Sequence, residues 1–135
     1  MTDATRLIAF FQGDAFARSN GVQLVEVREG YARTQVHIEP RHLNAGGFVQ
    51  GSVLFLLADL AFAAATCSHG TLTVTVSSTI TFTRSVSQGT VTAEAREIVD
   101  HRRLPYCEVR ITDDSQHLLA IFNATGYRKD IEIPL

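Results

Sequence analysis

Residues 52–66, SVLFLLADLAFAAAT, constrain this chain more than any other stretch. Leucine and alanine dominate the run, which favours helix over strand. It is apolar on every side, so it reads as a helix buried in a core rather than one lying on a surface. The apolar stretch Val53–Ala65 is too short to span a membrane and carries an acid in its middle. The rest of the chain must therefore wrap it. Segments 22–29 and 31–39 alternate apolar and polar residues around Gly30 and predict a hairpin. Residues 40–51 form a loop punctuated by Pro40, Asn44, Gly46 and Gly47. Four β-like runs follow at 72–83, 90–100, 104–112 and 117–128, with turn signals at 87–89, 101–103 and 113–116. Hairpin, helix and a four-strand meander predict an α+β fold, an antiparallel sheet wrapped around one long central helix.

Residues 1–20 add a helical segment, one or two short helices carrying Leu7, Ile8, Phe10, Phe11 and Phe16, with Gly13 and Gly21 as punctuation. At 135 residues the whole chain, 1–135, is expected to be a single domain, since chains divide into several cores only beyond about 250 residues. A sheet around one helix leaves an edge strand and an apolar rim, so at least a dimer is expected.

Asp59 is the residue that does not fit. An unpaired carboxylate in a core costs several kcal/mol, and a mid-helix Asp cannot act as a cap. Its neighbours one turn away are Phe55, Leu56, Phe62 and Ala63, so the helix offers it no partner. A structural reading needs a buried Arg or a hydroxyl from elsewhere. The functional reading is an acid whose pKa is tuned by burial. Gln50 and Gly51 stand where loop becomes helix, and free N–H groups at a helix start can hold an oxyanion. Gly51 and Asp59 are eight residues apart, about 12 Å along one helix. One carbonyl can meet both only if a second subunit supplies one of them.

The remaining composition narrows the function. A net charge of −2 gives no field to recruit nucleic acid or an anionic membrane. Cys67 and Cys107 suit reduced, buried thiols. The N-terminus carries acidic and polar residues without a long apolar core, unlike a secretory signal, so a cytoplasmic location is expected. Five scattered histidines form no chelating pattern, and no metal site is expected; His42, near Asn44, could line a site or be solvated. Arg84, Arg102, Arg103, Arg128 and Lys129 fall at strand ends or turns, where solvation or phosphate binding would both serve.

The run HLNAGGFVQGSVLFLLADLAFAAATCSHG, with TITFTRSVSQGTVTAEARE and YCEVRITDDSQHLLAIFNATGYR, resembles hotdog-fold thioesterases of the phenylacetate-degradation type over residues 20–128. The combination of Asn44, Gly51 and Asp59 at intervals of seven and eight carries the likeness. By that resemblance Asp59 is a nucleophile or general base. Gly51 N–H polarises a thioester carbonyl, Asn44 orients the reacting centre, and a strand hydroxyl, Thr75 or Ser77, positions water. It further implies coenzyme A as part of the substrate, its phosphates met by Arg84, Arg102 and Arg103, with no other cofactor. The implied assembly is a homodimer or a homotetramer built as a dimer of dimers. The family's His-Gly-Gly is here Gln50-Gly51-Ser52, and Gln can donate a hydrogen bond but cannot transfer a proton. The expected activity is hydrolysis of an aromatic or medium-chain acyl-CoA. A hotdog module that binds acyl-CoA without cleaving it is the alternative, and a dehydratase using His42 is a third.

Overall fold

A computed structural model describes residues 3–135; of the expected helical segment 1–20, residues 1 and 2 lie outside the described residues. The chain begins with α1 (Ala4–Phe11) and α2 (Ala15–Ser19), each started by an aspartate. Asp3 accepts from Arg6 N–H, and Asp14 from Ala17 N–H at 3.0 Å. Strands β1 (Gln23–Arg28) and β2 (Tyr31–His37) form the expected hairpin, and a short 3₁₀ turn, Pro40–His42, opens the loop to α3 (Gly51–Cys67). Then follow β3 (Thr71–Phe82), β4 (Thr90–Val99), β5 (Tyr106–Thr112) and β6 (Leu118–Glu132).

All pairings are antiparallel, in the order β1-β2-β4-β5-β6-β3. This corrects the meander expectation. Only β4, β5 and β6 form one. Residues 83–89 are a crossover rather than a hairpin turn: β3 sits on the far edge beside β6, and β4 returns next to β2. The physical reason is the helix, which must be followed by a strand on one side of it and flanked by the first hairpin on the other. The sheet closes only when β4 inserts between them.

Alanines set the distance between layers. Ala58, Ala61 and Ala65 on α3 and Ala32, Ala93 and Ala95 on the sheet are fully buried, letting the sheet curl closely around the helix, while Leu57, Phe62 and Phe122 fill the space. Thr34 Oγ1 donates to the Leu57 carbonyl at 2.7 Å inside this core. At the helix C-terminus Ser68 Oγ donates to the Ala65 carbonyl and accepts from Gly30 N–H, tying α3 to the first hairpin.

The wrap is incomplete, contrary to an all-round buried helix. Ser52 and Phe55 are exposed and Leu56, Asp59 and Ala63 half-buried, a stripe along one side of α3. Beside it runs the free edge of β3, where Val76 is 57% and Phe82 52% exposed. No helix among the described residues is long and apolar enough to cross a membrane.

Candidate active site

Asp59 lies on the open stripe of α3, facing the edge strand. Its Oδ1 accepts a 3.1 Å hydrogen bond from Thr75 Oγ1, its one side-chain partner among the described residues. Burial raises its pKa above the ordinary carboxylate value, the Thr75 hydroxyl pulls it back, and the charge of Asp14 adds a smaller upward push. No cation among the described residues contributes. An acid in this setting is a stronger base than a solvated aspartate and has nothing holding it in an ion pair.

The strand geometry separates the two candidate hydroxyls. Thr75 pairs with Gly126 and Ser77 with Thr125, so Val76 is an extra residue in β3. Thr75 and Ser77 therefore point to opposite faces, not to one. Thr75 faces the helix; Ser77 does not. Gly126 permits this crowding, since a Cβ there would lie 2.5 Å from Thr73 Cγ2 and 3.0 Å from Phe62 Cζ.

The loop residues gather at the other end of the helix. Asn44 Oδ1 accepts from Gly46 N–H at 2.9 Å and Phe48 N–H at 3.1 Å, so it shapes its own turn, while its Nδ2 bonds to no described residue. Gln50 caps α3, its Oε1 accepting from Gly51 N–H at 3.1 Å. A Cβ on Gly51 would lie 3.0 Å from the tip of the exposed Phe82 ring, so a side chain there would press on that ring. Asn44, Gly51, Phe82 and Arg84 line one groove of about 440 Å³. Asp59 is absent from that groove, as the separation along one helix requires. Within one chain, then, the candidate residues form two separate groups: Asp59 with Thr75, and Asn44, Gly51 and Arg84.

Arg102 and Arg103 are not brought to Arg84. Arg84 precedes β4 and the pair follows it, and ten strand residues span about 30 Å. Arg103 is engaged by Asp130 at 2.9 Å and by the Arg128 carbonyl. His42 is neither solvated nor in the site. It is buried, its Nδ1 accepting from Glu39 N–H and its Nε2 lying 2.7 Å from the Asn20 carbonyl, which assigns the proton to Nε2 and removes the ring from acid–base duty.

Arg128 corrects its own reading more sharply. It lies inside β6, 8% exposed, donating to Glu97 at 3.0 Å and to Asp100 at 2.6 Å. His69 Nε2 stands 2.8 Å from the other Glu97 oxygen. His69, Glu97 and Asp100 could offer a metal three ligand atoms within 4.8 Å of one another, but the Arg128 guanidinium already bridges both carboxylates and would repel a cation. Sequence reading missed this network because Glu97 and Arg128 are 31 residues apart and join only through the sheet. It also missed Asp14, whose visible signal was that of a helix cap.

Comparison with known proteins gives one consistent neighbourhood. The sequence profile of the thioesterase superfamily matches residues 46–120. The acyl-coenzyme A thioesterase PaaI of Escherichia coli is 31% identical over 121 residues, covering 89% of this chain and 86% of that protein. The solved structure of E. coli PaaI, from the phenylacetic acid degradation operon, superposes with a TM-score of 0.88 over 93% of this chain and 91% of that one, at 29% identity. A mutant structure of the phenylacetic acid degradation protein PaaI of Thermus thermophilus gives 0.80 over 84% and 98%, at 28% identity.

Proposed function

We propose that this chain, which belongs to the thioesterase superfamily and is a hotdog-fold thioester hydrolase, hydrolyses an acyl-CoA at a site shared by two subunits. The observation that carries the assignment is Asp59: a half-buried carboxylate with a raised pKa, one hydroxyl partner and no counter-ion. Such a group serves packing poorly and proton transfer well.

Two copies pair through the open stripe of α3 and the edge of β3. That buries Phe55, Val76 and Phe82 and sets Asp59 and Thr75 of one subunit against the Asn44–Gly51–Arg84 groove of the other. The thioester carbonyl then lies between the halves. Gln50 swings off Gly51 N–H, giving up a hydrogen bond of about 1 kcal/mol, and that N–H takes the carbonyl oxygen. Asp59 attacks the carbonyl carbon directly or removes a proton from the attacking water; both routes require it ionised. Where Asp59 takes the water proton, the tetrahedral intermediate collapses with cleavage of the C–S bond to the acid, and that proton passes to the sulfur of the departing CoA. Where Asp59 attacks the carbon itself, the same cleavage releases CoA thiolate, protonated by water, and leaves an acyl–Asp59 anhydride. A water molecule then hydrolyses the anhydride to release the acid and restore the carboxylate. Arg84 lines the same groove, which supports its meeting a CoA phosphate.

The test is thiol release from a series of short, long and aromatic acyl-CoAs, run beside Asp59→Asn. Turnover by the wild type and its loss in a folded, dimeric variant is the expected result. Wild-type turnover in Asp59→Asn refutes the assignment.

A further inference from the structure

We propose that the acyl group of the substrate is taken up by a chamber between the two N-terminal helices and α3, and that α1 sets the acyl length. This rests on the acyl-CoA reading above and adds where the variable half of the substrate goes. The chamber holds about 560 Å³, within the usual range for a small-molecule site. Ile8, Phe11, Leu24 and Leu60 give it an apolar wall, while Asp14 and Arg18 stand among its polar lining.

Two observations set it beside Asp59, and a third bears on selectivity. Leu60, which lines the chamber, follows Asp59 directly on α3, so the chamber reaches the helix at the position next to the carboxylate although Asp59 itself is not in its lining. Asp14 is near enough for its charge to act on Asp59. The superfamily profile begins at residue 46, so Ile8, Phe11, Asp14, Arg18 and Leu24 all precede it while Leu60 lies in it. A wall built mostly from residues outside the superfamily profile is a natural place for selectivity that differs between its members. An apolar wall with a balanced pair of charges suits an uncharged alkyl or aryl acyl group of medium length rather than an acetyl group, which would leave most of the space unfilled.

Ile8 and Phe11 are half-buried, so both can be changed without emptying the core. The experiment compares kcat/KM for acetyl-, butyryl-, octanoyl-, decanoyl- and phenylacetyl-CoA in the wild type, Ile8→Trp and Phe11→Ala, with thermal melting and dimer mass as controls. Ile8→Trp should cut octanoyl and decanoyl turnover by about tenfold or more and leave acetyl-CoA within about twofold. Phe11→Ala should move the optimum towards longer chains. Should one variant fail to fold, the other decides. A uniform change, or none, across chain lengths in a folded variant overturns the chamber while leaving acyl-CoA hydrolysis standing. A wild type that releases no thiol from any of the series overturns the acyl-CoA reading and the chamber with it.

Discussion

Asp59 and Glu97 are two carboxylates taken out of water in the same small protein, and their surroundings could hardly differ more. Both have pKa values raised first of all by burial. Around Glu97 that push is opposed by His69 and by the Arg128 guanidinium, at 2.8 and 3.0 Å. Around Asp59 it is opposed by one threonine hydroxyl, and Asp14 reinforces it. The first carboxylate is anchored between β4 and β6 near the C-terminus of α3. The second is left available, on the open stripe beside a free strand edge. Burial alone therefore does not mark a functional acid. Burial without a counter-ion is what sets Asp59 apart, and the proposed role rests on it.

The contrast can be broken most forcefully at Asp59. Asp59→Asn should lower kcat by about 10²–10⁴, the usual worth of a positioned proton-transfer group, measured by thiol release. The same change should raise the melting temperature by about 3 °C. The sign follows from linkage: the folded state holds the Asp59 proton more tightly than the unfolded chain, so ionisation of Asp59 costs stability as pH rises through that window, and Asn removes the cost. A variant that is slow and also unstable would mean that Asp59 supports the fold.

At the other carboxylate the outcome should be reversed. Arg128→Met leaves Glu97 and Asp100 without their cation and should destabilise the fold by about 3–5 kcal/mol in urea titration, with turnover per folded molecule unchanged. Smaller still is Thr75→Val, which keeps the shape of the strand and removes the hydroxyl. It should reduce kcat by roughly tenfold or less, the worth of one hydrogen bond. An unaffected rate would show that Thr75 does not position the acid.

Much of this contrast was legible before any coordinates. An acid among leucines and alanines on a continuous helix is conspicuous because no local partner is possible, and the Gly51–Asp59 spacing already meant that one carbonyl could meet both only with a second subunit. What escaped depends on pairings that a linear chain hides. The extra residue at Val76 breaks the two-residue alternation, so Thr75 and Ser77 were read as sharing a face. The crossover through residues 83–89 looks like a hairpin turn until β4 is seen beside β2. Arg128 looked like a strand-end surface residue because the strand was expected to stop there, whereas β6 runs on to Glu132 and carries it inward. His42 stands two positions before Asn44, which made it a candidate for the site, and its role as a bridge between two backbone segments leaves no trace in spacing.

The pH dependence of kcat/KM with an acyl-CoA substrate tests the claim about Asp59 most directly, because it reads the acid in the free enzyme. An ionised Asp59 is required, so activity should fall on the acid side through one group whose pKa lies above the ordinary aspartate value of about 3.9. Since the Thr75 hydroxyl lowers that pKa, the limb should move to higher pH in Thr75→Val and vanish from the residual activity of Asp59→Asn. An acid limb that stays in place in both variants would contradict the assignment and move the chemistry to another residue.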